Sequence, residues 1–286
     1  MPTVLEILDV SAKFLEDKGI ESPRLNADLL MAHVLNCRRL DLYLMFDRPL
    51  KENEIENYRG CIRRRIKFEP LQYIVGNVEF FGLTLDVTPA VLIPRQETEL
   101  LVEIIINENK GKEGLRVLDL GTGSGNIAIA LAKNLPKSSV IAVDISPDSL
   151  EIATLNAKKN GVEGIEFTFS DMGQFINDAV AEGHRFDLII SNPPYVSEAD
   201  YSVVQEEVAK YEPSIAVTDF SDGYKFHKGI ISGSGKILDG NGSIYLEMAL
   251  GQDQKLKEMM QDAGLEEIEI YKDYNRINRF IRGIRH

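Results

Sequence analysis

Val117-Leu118-Asp119-Leu120-Gly121-Thr122-Gly123-Ser124-Gly125-Asn126-Ile127-Ala128 decides how the rest of this chain is read. A short apolar run leads into a glycine-rich turn, and a helical pattern continues through Leu131. Strand, turn and helix in that order open a βαβ crossover, and therefore an α/β sheet. The turn is G-x-G-x-G. Turns that seat a pyrophosphate on a helix N-terminus are spaced G-x-G-x-x-G. Here the third glycine comes one residue early, which suits close backbone approach to a ligand without a diphosphate.

Working downstream, Val140-Ile141-Ala142-Val143 reads as a second strand and ends at Asp144, about twenty residues past the glycines. An acidic group there can accept both hydroxyls of a ribose. A third strand, Ile165–Phe169, ends in Ser170-Asp171, where Asp171 can accept from an adenine amino group. A fourth, Phe186-Asp187-Leu188-Ile189-Ile190, is followed by Asn192-Pro193-Pro194-Tyr195. Each acidic residue taken alone is more often a helix N-cap or a solvated turn residue. Successive strand ends carrying such groups form the ligand edge of a doubly wound sheet. S-adenosyl-L-methionine, with ribose and adenine but no phosphate, fits Asp119, Gly121, Thr122, Gly123, Gly125, Asp144 and Asp171, with Asn192 bordering it.

The Asn192–Tyr195 stretch points to an acceptor of a particular kind. An amide or aminopurine nitrogen is a poor nucleophile because its lone pair is delocalised. An Asn carbonyl beside a proline main-chain carbonyl can hold both N–H groups and aim the nitrogen, and a tyrosine ring can cover the planar group. Asn192, Pro193 and Tyr195 are the candidate catalytic residues.

The chain has 286 residues, 44% of them hydrophobic, enough for one large domain and a small one. Its formal net charge of −13 opposes a phosphate backbone and argues against stable nucleic-acid binding. The dense basic run, Arg63-Arg64-Arg65-Ile66-Lys67, falls at a helix end, where cations complement the dipole. Cys37 and Cys61 lack metal-ligand spacing and read as reduced, buried thiols, and the four histidines are scattered, so no metal is expected. No apolar run is long enough to span a membrane and no signal peptide is visible, which points to a cytoplasmic protein.

Organisation divides near residue 70. Before it, helical periodicity dominates: Val4, Leu5, Ile7, Leu8 and Phe14 share a face, and Lys18-Gly19 closes that helix. Ser22-Pro23 supplies an N-cap and first-turn proline for Leu25–Leu35, a short segment follows around Leu40–Phe46, and a charged helix runs from about Glu52 to Phe68. Residues 71–95 read as a β-hairpin linker, because Leu71 to Val87 alternates and is punctuated by glycine. Residues 96–286 alternate helix and strand.

These residues carry a family resemblance over nearly the whole chain. Ser22-Pro23-Arg24-Leu25, Glu69-Pro70-Leu71-Gln72-Tyr73-Ile74, Glu79-Phe80-Phe81-Gly82, Leu92-Ile93-Pro94-Arg95, Glu97-Thr98-Glu99, Asp119–Gly125, Asn192–Tyr195, Tyr211-Glu212-Pro213, Asp222-Gly223 and Leu246-Glu247 resemble the glutamine-N5 methyltransferases of peptide-chain release factors. That family (PrmC/HemK-like) belongs to the class I S-adenosylmethionine-dependent enzymes. The resemblance implies an α/β, doubly wound Rossmann-like sheet preceded by a helical-bundle domain at 1–70 that docks the substrate. It implies methyl transfer to the glutamine of a Gly-Gly-Gln loop in class 1 release factors, with Arg95, Glu97 and Asn192-Pro193-Pro194-Tyr195 toward the substrate, and a monomeric enzyme.

The asparagine motif by itself is shared with adenine and cytosine amino methyltransferases, so an adenine-N6 enzyme acting on DNA or RNA is the alternative. Such an enzyme needs a phosphate-binding stripe and a means of extruding the base. A binding module that keeps cofactor without catalysis is a third possibility, against which intact Asn192 and Asp144 argue. The chain departs from the family pattern at Gln96, where a second proline is usual, and at Ser214, Phe220-Ser221 and Ala249.

Overall fold

In the computed structural model, which describes residues 1–286, the chain forms two units: Met1–Asn77 with Gln205–Tyr211, and Val78–Val204 with Glu212–His286.

The first unit is helical. Thr3 opens α1 (Val4–Asp17) with a capping box: its Oγ1 accepts from the Glu6 N–H at 3.3 Å and its own N–H donates to Glu6 Oε2 at 2.8 Å. Val4, Leu8 and Leu15 are fully buried, whereas Phe14, expected on that face, is 40% exposed. Seven residues from Leu8 nearly complete two turns, and six leave the side chain about 120° away. Ser22 adopts φ 49° and its side chain makes no cap, so Pro23 alone starts α2 (Pro23–Leu35), with Asn36 left-handed at its end.

The basic run ends α3 (Glu52–Arg65); Arg63 and Arg64 stay exposed and Arg65 turns inward. Arg65 donates to Asn26 Oδ1 at 2.7 Å and to the Glu69 carbonyl at 2.9 Å, and it pairs with Glu207 at 2.9 Å. Glu207 belongs to a short helix, Glu206–Tyr211, whose Tyr211 hydroxyl donates to the Lys67 carbonyl. No composition shift marks that segment as part of the helical unit.

The expected hairpin start at Leu71 is instead a helix, α4 (Leu71–Val75), so 71–77 belong to the helical unit. Pro70 precedes this single turn, Gly76 closes it at φ 88°, and Ile74 packs into the helical core. Burial of Tyr73 and Ile74 outweighs their β-propensity.

A hairpin of β1 (Asn77–Phe80) and β2 (Leu83–Asp86) leads into the second unit, which takes it up from Val78. Then follow α5 (Gln96–Glu108), β3 (Arg116–Leu120), α6 (Asn126–Asn134), β4 (Ser139–Asp144), α7 (Pro147–Lys159), β5 (Ile165–Phe169), α8 (Met172–Glu182), β6 (Phe186–Ser191), β7 (Leu238–Glu247), β8 (Glu266–Lys272) and β9 (Asn278–Ile284). The sheet order is β5-β4-β3-β6-β7-β9-β8, with β9 antiparallel to its neighbours. This is the doubly wound sheet expected. Alternation along β3 and β6 feeds both faces. Val117, Leu188 and Ile190 pack with α5 and α6; Leu118, Leu120 and Ile189 pack with α8 and the helices Lys225–Ile237 and Asp253–Asp262. Each fully buried aliphatic side chain contributes roughly 1.5–3 kcal/mol.

Two asparagines hold the hairpin to α7. Asn156 accepts from the Asp86 N–H at 2.7 Å and donates to the Asp86 carbonyl at 3.0 Å; Asn160 does the same for Thr84 at 3.2 and 3.0 Å. Four helical residues rise about 6 Å and two strand residues about 6.6 Å, so the two side-chain amides pair with β2 much as a neighbouring strand would.

Candidate active site

Strand register builds the site. Leu120 is level with Val143 on one side and Ser191 on the other, and Ser191 is level with Leu246. The residues one step further, Asp144, Gly121, Asn192 and Glu247, therefore form a single rank along the carboxyl edge of the sheet. The order of strands reverses here, between β3 and β6, which is where open α/β sheets bind ligands.

The glycine turn is pinned to β4: the N–H groups of Gly121 and Thr122 both donate to the Val143 carbonyl, at 2.8 and 3.0 Å. Gly121 has φ 77°, and a Cβ there would lie 2.5 Å from the Met172 methyl. Gly125, at φ 81°, lets α6 approach Ala153 of α7, where a Cβ would come within 3.1 Å. Beneath the turn, Asp119 Oδ2 accepts from the Thr122 hydroxyl at 2.7 Å. Burial pushes the Asp119 carboxyl up to about 7 against the pull of its hydrogen bonds, with the nearby Asp144 charge adding to the rise. Asp119, Thr122 and Gly125 shape the turn and stand behind the wall of the cavity that it borders.

That cavity measures about 480 Å³, and Gly121, Gly123, Asp144, Asp171, Asn192 and Pro194 are on its wall, with Val91, Leu92, Met172, Ala216 and Phe220 supplying apolar surface. Its size falls in the ~300–1,000 Å³ range of small-molecule sites. Asp144 accepts from the Gly123 N–H through Oδ2 at 2.8 Å and from the Ser146 N–H through Oδ1 at 2.9 Å. Each oxygen keeps a lone pair for a further donor, as a pair of ribose hydroxyls requires. Burial raises its pKa above the usual carboxylate range. Asp171 caps α8, its Oδ1 accepting from Gly173 and Gln174, while the residue also faces the cavity. Glycines that leave room for close approach, a two-oxygen acceptor and a volume of this size together fit S-adenosylmethionine.

At the other end, Asn192 and Pro194 face the cavity, whereas Pro193 and Tyr195 stand behind them. The Tyr195 hydroxyl donates to Glu247 Oε1 at 3.1 Å, and burial holds its pKa well above that of a free phenol. Asn192 Nδ2 donates to Thr98 Oγ1 at 3.4 Å, and the Thr98 hydroxyl donates to Glu247 Oε2 at 2.8 Å. Thr98 and Glu247 are both buried. Sequence reasoning placed neither beside Asn192; their occurrence in the Glu97-Thr98-Glu99 and Leu246-Glu247 stretches was the available signal.

Arg95 and Glu97 are not on the cavity wall. Arg95 pairs with the buried carboxylate of Glu212 at 2.5 Å rather than with Glu97, and Glu212 also accepts from the Ile93 N–H at 3.1 Å. Their role in this geometry is to hold the loop leading into α5. Gln96 is the first residue of that helix, a position where proline also fits. Phe220 lines the cavity at φ 52°, in the backbone region that favours glycine.

Comparisons with known proteins agree with this geometry. Residues 6–76 match the family described as PrmC N-terminal domain, and residues 111–264 a family described as methyltransferase domain. A release factor glutamine methyltransferase of Geobacter sulfurreducens is 38% identical over 284 residues, covering 98% of this chain and 96% of that protein. One of Chlorobaculum tepidum is 38% identical, covering 97% and 95%. Among solved structures, a Thermus thermophilus 16S rRNA methyltransferase in complex with AdoMet and guanosine superposes with a TM-score of 0.51 at 16% identity, covering 73% of this chain and 50% of that one, a likeness of fold. With near-complete coverage by relatives of one name and a site built for a methyl donor, the chain belongs to the release factor glutamine methyltransferase family.

Proposed function

We infer that this chain methylates the side-chain amide nitrogen, N5, of the glutamine in the Gly-Gly-Gln loop of class 1 peptide-chain release factors. The observation that carries the reading is the rank of Asp144, Gly121 and Asn192, all of which line a single cavity. S-adenosylmethionine, when bound, supplies a sulfonium methyl open to in-line displacement and leaves as S-adenosylhomocysteine. Asn192 Oδ1 accepts an N–H of the acceptor amide and aims its nitrogen; Pro193 and Tyr195, expected to touch that amide, are not on the cavity wall, and the Tyr195 hydroxyl donates to Glu247 instead. Apolar walls at Leu92, Ala216 and Phe220 limit water. No strong base is required, because an alkylated amide nitrogen readily gives up its proton.

The acceptor's loop can enter an amide-sized site without unfolding its protein, whereas a duplex base must first be unstacked at a cost of a few kcal/mol. A net charge of −13 also disfavours a polyphosphate partner, which sets the adenine-N6 alternative second. The Met1–Asn77 unit, which holds none of the cavity residues, is assigned the docking of the release factor. A monomer in the cytoplasm is the setting proposed together with that partner. No helix is long and apolar enough to cross a membrane. Mass spectrometry of a purified class 1 release factor after incubation with enzyme and S-adenosylmethionine is expected to place one added methyl on that glutamine, and a Gln→Ala acceptor to stay unmodified. Methylated DNA or RNA beside an untouched release factor would overturn the reading.

A further inference from the structure

Asn192 can hold an N–H of the acceptor only if Oδ1, and not Nδ2, faces the cavity. The two ends of a carboxamide have nearly the same shape, so packing alone does not choose between them. A hydrogen-bond chain behind Asn192 does. We propose that Thr98 and Glu247 are positioning residues that set the direction of the Asn192 amide for methyl transfer. The proposal rests on the reading of Asn192 as the holder of the acceptor amide.

An ionised carboxylate accepts and never donates. Glu247 accepts a hydrogen bond from the Thr98 hydroxyl on Oε2 and one from the Tyr195 hydroxyl on Oε1. Thr98 has one O–H, and with that proton committed, its oxygen can only accept toward Asn192. The atom of Asn192 that meets it is Nδ2, at 3.4 Å, and Oδ1 is left for the acceptor. A flipped Asn192 would set lone pair against lone pair at Thr98 and N–H against N–H at the acceptor. Glu247 is itself fixed: it ends β7, is 2% exposed, and its main-chain carbonyl accepts from the buried His227 Nε2 at 2.9 Å. Burial raises its carboxyl, and the hydrogen bonds from Thr98 and Tyr195 together with the charge of Arg279 act against that rise.

Thr98→Val and Thr98→Ser separate this role from packing. Valine keeps the branched shape and loses the hydroxyl; serine keeps the hydroxyl and loses the methyl. With a purified release factor as acceptor, Thr98→Val is expected to lower kcat on the order of 10–100-fold, the scale of a misplaced reacting group. Its Kd for S-adenosylmethionine by calorimetry should not change, and Thr98→Ser should recover most of the loss. In ¹⁵N spectra, the Asn192 side-chain amide pair, assigned by its disappearance in Asn192→Ala, should move in Thr98→Val and keep its place in Thr98→Ser. Should Thr98→Val fail to fold, Glu247→Gln preserves shape with a single accepting atom, and it too should lower kcat without changing that Kd. Wild-type turnover in whichever variant folds, or a larger loss in Thr98→Ser than in Thr98→Val, would overturn the positioning role. A wild-type enzyme that transfers no methyl to the release factor would instead bring down the function proposed above.

Discussion

The two ends of the cavity are built by different means. The Gly121–Asp144 end is made of main chain: two N–H groups on the Val143 carbonyl, and one carboxylate held by the N–H groups of Gly123 and Ser146. The Asn192 end is made of side chains drawn from the start of α5, the turn after β6 and the end of β7. A turn and a carboxylate fixed by main-chain hydrogen bonds lose little freedom when a ligand arrives, so the first end is ready to bind. The second end needs every member of a relay in place, so it suits the step in which a nitrogen must be aimed to within a fraction of an ångström. Affinity and turnover should therefore separate by position along one rank of residues.

The largest effect is expected at the side-chain end. Asn192→Ala should cut single-turnover methyl transfer on the order of 10²–10³-fold, comparable to removing one group that holds a reacting centre, while calorimetry finds the affinity for S-adenosylmethionine intact. Near-normal turnover would show that the two ends are not divided in this way.

A smaller effect is expected at the main-chain end. Asp144→Ala should weaken S-adenosylmethionine binding by about 1–3 kcal/mol, since it removes the acceptor offered to two hydroxyls and leaves the Gly123 and Ser146 N–H groups without a partner. Unchanged affinity in a folded variant would take Asp144 out of the site.

The smallest effect concerns what lies under the turn. The Asp119 carboxyl titrates near 7 in the folded chain, above its ordinary range, because it is buried. A folded-state pKa raised above the unfolded one gives stability that is full below about pH 4 and is lost as pH rises through about 7. Asp144 and Glu247 are raised as well and act in the same sense. Asp119→Asn should therefore reduce, without abolishing, the fall in Tm between pH 4 and 8. A variant whose Tm follows pH as steeply as the wild type would show that Asp119 does not titrate in that window.

Much of the main-chain end was legible in residues 117–144, because strand, glycine turn and helix are contiguous there and the turn's conformation is local. The helical unit was legible in outline and wrong in detail. Phe14 and Leu15 differ by one residue in phase, and Leu71–Val75 has the composition of a strand but lies buried as a helix. Arg65 stands at a helix end, as its place in the basic run indicates, but its partner Glu207 comes from a segment far along the chain and is not legible locally.

The alternation of strand and helix, the glycine turn, the acidic strand ends and an asparagine past a strand are all legible in residue order, since each is set by neighbours in the chain. Which of these stand side by side depends on how the strands and helices pack. Thr98 meets Asn192 across 94 residues and Glu247 across 149, and nothing local encodes those pairings. Register across four parallel strands puts Asn192 and Glu247 in one rank with Gly121 and Asp144, the packing of α5 brings Thr98 to them, and register follows from burying both faces of the sheet at once.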